Sequence, residues 1–345
     1  MITSSLVINL KKMNVLLTRN LLLLKGESNM ADFKTNFQIY PAKQLIVPND
    51  RISKKLFNLT LNDLQDWIAQ HKSIDFVELQ RHKKFGEIIS PIQLSVEDET
   101  FTISEPLDQF HCAVLCAGIS ELYFGNHQTT PAITYRAITG KVDKGAEAEP
   151  SKKQLADILS AFELLMRLQM KYDMSTYCQM TGCNDGKPIT LISPLLSCRM
   201  LKSSTANGKD TSVIELLGES PLLTSAQIKN NQLLMYNNSL LDVPNMNNSR
   251  MNIGAKHYGI RRVQESSLHR QMSPTIKLAD YFNKLNIENA HAQVKKDARE
   301  VLVTFFEHLQ AKGVIKSFEL TKKGNAFNAL HFTPCKTAKK TKSRR

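Results

Sequence analysis

Three groupings of residues in this 345-residue chain are of types that could do chemistry. The first, "GCNDGKP" (182–188), sets a lysine after a glycine as a phosphate-cradling loop does. Only three residues separate Gly182 from Gly186, however, and Pro188 stands where a magnesium-binding hydroxyl would be needed. The phosphate-binding loop requires a longer glycine arch and a Ser or Thr after the lysine. Nucleotide hydrolysis is therefore not expected. The second grouping is the nine histidines. A metal-dependent nickase needs two of them flanking one apolar residue, with a tyrosine nucleophile, and that spacing does not occur. A tyrosine recombinase needs a His-x-x-Arg and a late tyrosine. His257 meets Arg261 one position too far on, and no tyrosine follows Tyr281. The third grouping is Cys112 with Cys116, half of a metal site at helical spacing. No matching Cys/His pair follows, so these read as buried thiols, and no metal or other cofactor is expected.

What remains is basic charge. Lys and Arg number 45 against 32 Asp and Glu, for a formal +13 and a pI near 9.4. Such a balance favours polyanionic partners, nucleic acid first and anionic membrane second. The C-terminal "KTAKKTKSRR" (336–345) carries six of these charges and no acid, which leaves the rest of the chain basic as well. That tail reads either as a solvated extension or as a phosphate-binding arm. In "HYGIRRVQESSLHRQMSPTIKLADYF" (257–282), Arg261, Arg262 and Arg270 read as phosphate contacts, or alternatively as a solvated face or salt bridges to Glu265. His257 and His269 read as core or surface filler. No transmembrane segment is expected, "LLLL" (21–24) being too short to span. Six scattered cysteines without a signal peptide point to a cytoplasmic protein.

The elements that must position these charges follow from periodicity. Residues 1–29 read as an extension ahead of Met30. Residues 30–105 read as a mixed accessory region, with a helix over 59–72 capped by Asn62 and a hairpin over 91–104. From there the pattern is helical over 108–124, then a short helix capped by Thr130 with Pro131 in its first turn. Ser151 and Gln154 form a capping box for a longer helix over 151–173. Its apolar stripe is Leu155, Ile158, Leu159, Phe162, Leu165 and Met166, and Lys152, Lys153, Arg167 and Lys171 lie opposite or beside it. A hairpin turning at Asn184-Asp185-Gly186-Lys187 is expected to follow, and the polar "KSSTANGKDTS" (202–212) reads as a linker.

The order then repeats about 143 residues on. A helix over 249–265 leads to Ser273-Pro274, read as a second helix start. A long helix over 289–313 carries a stripe of Val294, Ala298, Val301, Leu302, Phe305 and Leu309, and Gly313 closes it. Lys296 and Arg299 are expected to face away from the stripe, with Lys295 on its flank. Two strands around "TKKGN" (321–325) end at Pro334 and put Lys322 and Lys323 at a hairpin tip. The chain is thus read as α+β: a first winged-helix domain at 106–201, a second at 213–334, a small mixed N-terminal region, and a basic tail at 335–345.

Two such units, entered through "FHCAVLCAGISELYFGNHQTTPAITYRAITG" and "AKHYGIRRVQESSLHRQMSPTIKLADYF", resemble the plasmid replication initiator (Rep) proteins over about 108–334. The resemblance implies tandem winged helices that bind repeated double-stranded DNA sites at an origin. It also implies an initiating monomer, a repressing dimer, and recruitment of a host helicase without nucleotide hydrolysis. Region 30–105 and the tail depart from the family and leave a dimer interface open. In this reading the long helices enter the major groove and the hairpins touch the flanking backbone. A winged-helix transcriptional regulator, an enzyme of nucleic-acid processing with unrecognised catalytic acids, and an RNA-binding protein using charge alone are the alternatives.

Overall fold

The computed structural model describes residues 42–56, 73–82, 84–96, 107–144, 149–204, 210–229, 232–268, 272–324 and 326–335. The chain divides into two compact units, Met1–Gln38 and Ile39–Arg345, and all of the described residues belong to the second. The extension at 1–29, the helix at 59–72, the turn at "EDET", His269, Arg270 and the tail at 336–345 lie outside the described residues.

The fold is α+β. Strand β1 (Gln44–Pro48) and the short helix α1 (Arg51–Leu56) come first, then β2 (Ser73–His82) and β3 (Gly86–Val96), which pair antiparallel from Ser73↔Ser95 to His82↔Gly86. Pro91 therefore sits inside a second strand, not at the start of a first one. Helix α2 (Gln109–Tyr123) begins at Asp108, whose carboxylate accepts from the backbone N–H of Phe110 and His111 at 2.9 and 3.1 Å. After β4 (Gln128–Thr129), helix α3 (Pro131–Thr139) starts at the Thr130 cap. Helix α4 (Lys152–Arg167) starts at the Ser151–Gln154 capping box, with reciprocal bonds of 2.8 and 3.3 Å.

Helix α4 stops six residues short of Asp173. Leu168–Asp173 is strand β5, with Leu168, Met170 and Tyr172 fully buried and Lys171 exposed. Alternation with period two overrides the helical stripe there because the segment pairs on both edges, with β3 and β6, and buries one face. Helix α5 (Ser175–Thr181) and a 3-10 turn (Cys183–Gly186) follow, and β6 (Thr190–Pro194) pairs with β5. The hairpin expected over 176–193 is thus a helix and a strand joined by a turn, with Asn184 and Asp185 at φ 50° and 55°. The second hairpin strands of the unit are β7 (Cys198–Ser204) and β8 (Asp210–Leu216), paired from Cys198↔Leu216 to Ser204↔Asp210. Of the segment read as a linker, 202–204 and 210–212 are strand residues of that hairpin, and 205–209 lie outside the described residues.

Helix α6 (Pro221–Ile228), β9 (Leu233–Asn237) and a 3-10 turn (Asn238–Leu241) lead to α7 (Arg250–Leu268). Next come β10 (Thr275–Lys277), α8 (Leu278–Lys284), α9 (Ala292–Ala311), β11 (Ile315–Lys323) and β12 (Ala326–Pro334). Ser273-Pro274 precedes the strand β10 and not the helix: Pro274 accepts from the N–H of Phe332 at 2.9 Å, and α8 has no side-chain cap. Gly313, at φ 69°, follows α9 as expected.

Twice, then, the chain runs helix, short strand, short helix, longer helix and hairpin. In both copies the last strand lies in the middle of its sheet, in the orders β4-β8-β7 and β10-β12-β11. The first copy accommodates β5, α5 and β6 between its long helix and its hairpin. Residues 42–96 are not a separate layer. Strand β1 pairs with β9, β3 pairs with β5, and Leu45, Ile46, Ile52 and Leu56 belong to the one continuous core. The first helices of the two copies, α2 and α7, pack together. Arg250 Nε holds Asp108 Oδ2 at 3.0 Å across that contact. On its other side α7 meets α9 so closely that a Cβ on Gly259 would lie 3.0 Å from the Phe305 ring.

Candidate nucleic-acid interface

Helix α9 buries Ala298, Leu302, Phe305, Phe306 and Leu309. Phe306 takes the place expected for Val294, which is 37% exposed because 291–294, where α9 begins, project past the core. Lys296 is exposed and 3.9 Å from Glu300, while Lys295 is half-buried. Arg299, expected to face outward, is half-buried: its guanidinium lies 4.6 Å over the ring of Phe327 on β12. Lys322 Nζ approaches the same ring at 4.7 Å, and Lys322 is the cross-strand partner of Phe327. The long helix and the hairpin are therefore joined at one aromatic residue that collects two cations. Each contact of this kind is worth about 0.5–1 kcal/mol at an exposed site. It engages the face of the guanidinium and leaves its N–H edge available for a base or phosphate. Among the described residues, no carboxylate forms an ion pair with Arg299, Lys322 or Lys323.

In the first copy, Lys152 and Lys153 are exposed in the first turn of α4. Cations are disfavoured by the macrodipole at a helix N-terminus, so these two lysines do not serve helix stability. Arg167 is in the last turn, and Lys171 sits on β5 opposite Gln93 and Ile192 in the four-stranded sheet. The four basic residues expected on one helix thus fall on two elements, and only Lys152 and Lys153 form an exposed pair.

Arg261 and Arg262 turn inward. Arg261 is 8% exposed, with its guanidinium 5.7 Å from the Tyr258 ring and 4.0 Å from Glu265. Arg262 donates to Glu265 at 2.9 Å and to the carbonyls of Ser273 and Thr275 at 3.3 and 3.2 Å. Of the roles the sequence leaves open for them, the ion pair with Glu265 is the one that the geometry contains. His257 is buried: its Nε2–H donates to the Ile138 carbonyl at 2.9 Å, and its Nδ1 accepts from the Tyr236 hydroxyl at 3.1 Å. Burial, aided by the adjacent Lys256 and Arg261, lowers its pKa to about 3. Cys112 and Cys116 are buried, and burial raises both thiols, Cys116 to about 12. Among the described residues no group of His, Cys, Asp and Glu could hold a metal ion, and no helix is long and apolar enough to cross a membrane.

Two features escaped sequence reasoning. Phe327 could have been found as an aromatic just past the turn at Lys322-Lys323-Gly324. The second, a buried cluster of Lys229, Glu78, Asp50 and Tyr172, has no sequence signal because its members come from distant segments.

No family model and no curated protein matches the chain. Among solved structures, the chain is similar to crystals of domains 2 and 3 of RctB. One, from selenomethionine derivatives, has a TM-score of 0.37 and 10% identity, covering 77% of this chain and 92% of that one. A second structure of RctB domains 2–3 has a TM-score of 0.39 and 9% identity, covering 77% and 94%. Similarity at this distance supports no argument about function.

Proposed function

We propose that the chain is a non-enzymatic, sequence-specific double-stranded DNA-binding protein that acts at a replication origin of a plasmid or mobile element. In this reading the two repeated units are tandem winged helices. Their element order and the central position of the last strand in each sheet support it. The observation that carries the reading is the convergence of Arg299 from α9 and Lys322 from the hairpin on Phe327. Two cations without a carboxylate partner, held where a long helix meets a hairpin, are suited to a polyanion following that corner. The N-terminal half of α9 enters the major groove, where Arg299 pairs with a guanine edge. Lys322 and Lys323 hold phosphates and fix register without reading sequence. Lys152 and Lys153 offer the first unit a second contact with the backbone, as binding to repeated sites requires, and a host helicase is the protein partner.

Binding titrations at one fixed salt concentration, against origin and scrambled duplexes, test this. Arg299→Ala should relax discrimination by about 1–3 kcal/mol at one base position. Lys322→Ala with Lys323→Ala should weaken both duplexes about equally. A full specificity ratio in Arg299→Ala would remove α9 as the reading helix.

A further inference from the structure

We infer that the cavity between α1, α7, β10 and α8 is a binding site for a phosphate group. Its volume is about 410 Å³, within the range of about 300–1,000 Å³ typical of small-molecule sites. Five cationic side chains line it: Lys54, Arg261, Arg262, Lys277 and Lys284. Among the described residues, two acids, Glu265 and Asp280, line it with them. Glu265 is itself shared, at 4.0 Å from Arg261 and 2.9 Å from Arg262, so one carboxylate serves two guanidiniums.

The cavity is built and not incidental. Arg261 is more than nine-tenths buried, and Arg262 is fixed by one carboxylate and two backbone carbonyls. Lys54 reaches the same space from α1, more than two hundred residues earlier in the chain than Arg261. Its pKa is lowered, first by burial and then by Arg261 and Arg262, against the opposing pull of Glu265 and Asp50. Concentrating like charges in a half-enclosed space opposes folding unless a ligand compensates it. A phosphate dianion would do so, with the Lys54 and Lys277 ammonium groups as charged donors and Thr275 and Asn283 as further polar groups on the wall. The phosphate could come from a free pyrophosphate- or nucleotide-sized molecule or from a nucleic-acid backbone. The site uses none of the residues of the Arg299–Phe327 corner and does not rest on the function proposed for it.

Calorimetric titration of the full chain with sodium pyrophosphate, at matched ionic strength, tests the site directly. A free ligand predicts one saturable event, weakened at least tenfold by Lys54→Gln and by Lys277→Gln and largely kept by Lys54→Arg. The two Gln variants lie on different elements, and thermal unfolding identifies any variant that does not fold. The second arm measures duplex affinity with and without saturating pyrophosphate. If a backbone phosphate occupies the cavity, pyrophosphate and Lys54→Gln each lower duplex affinity. If the ligand is a free phosphate, duplex affinity stays the same. No saturable binding of pyrophosphate, together with wild-type duplex affinity in both Gln variants, would overturn the assignment. Loss of specificity in Arg299→Ala alongside that result would leave the DNA-binding reading standing. Pyrophosphate binding by a chain indifferent to duplex would support the cavity and remove the DNA-binding reading alone.

Discussion

Replacing Lys229 by methionine should destabilise the protein far more than an ordinary lysine substitution. The side chain is 1% exposed, with Nζ 2.5 Å from Glu78 and 3.7 Å from Asp50, and 4.8 Å over the Tyr172 ring. Tyr172 donates to the same Glu78 oxygen at 2.7 Å, and Ser225 and Ser53 each donate to Asp50 at 2.5 Å. Methionine fills the volume but leaves two carboxylates buried without their shared cation. Breaking one side of a buried pair costs about 3–5 kcal/mol, whereas neutralising both sides is often close to neutral. Lys229→Met should therefore lose about 3–5 kcal/mol, and Lys229→Met with Glu78→Gln should recover most of it. Asp50 keeps its two hydroxyls and the Ser53 N–H at 2.9 Å in either variant. Urea unfolding of the full chain gives the single and double values, and the cycle between them gives the coupling. A single variant within about 1 kcal/mol of wild type, set against the 3–5 expected, would refute the reasoning. So would a double variant no more stable than the single.

Phe305→Ala should cost about 3–5 kcal/mol, since a fully buried ring wedged against Gly259 leaves a cavity that α7 and α9 cannot close. Thermal unfolding checks it, with DNA binding unchanged below the transition. His257 makes stability pH-dependent in one direction. With a folded value of about 3 and an unfolded value near 6.5, it is neutral in both states at pH 7. As pH falls from about 6.5 toward 3, the unfolded chain takes up a proton that the folded chain refuses, and stability drops by about 1.4 kcal/mol per pH unit. His257→Gln should show a shallower loss than wild type between pH 7 and 5, measured by urea unfolding, and identical slopes would contradict the buried neutral imidazole.

The local elements were legible where the signal is local. The Thr130-Pro131 start, the Ser151–Gln154 box, Gly313 and the strand end at Pro334 all depend on bonds or clashes within a few residues. These are present in the chain before any tertiary contact forms. The buried thiols at Cys112 and Cys116 followed likewise from residue type and spacing. The errors cluster where a short segment satisfies two periods or where composition is ambiguous. "LQMKYD" continues a helical stripe and also alternates; only its pairing with β3 and β6 makes it a strand. Ser273-Pro274 is compatible with a helix start, but β12 recruits the next three residues into its sheet.

By itself, then, the sequence determined the capped starts of α3 and α4, the α+β class and the excess of basic charge, because each is a property of neighbouring residues or of their sum. Tertiary structure decided which strands pair and where charges meet. Asp50 reaches Ser225 across 175 positions, and Glu78 reaches Lys229 across 151. The Arg299–Phe327–Lys322 corner and the five cations of the cavity are likewise made from separate elements. A side chain's partner across such distances depends on how whole elements pack, and the spacing along the chain does not contain it. That is why Arg261 and Arg262, for which the sequence leaves phosphate contacts, a solvated face or salt bridges to Glu265 open, turn inward to Glu265.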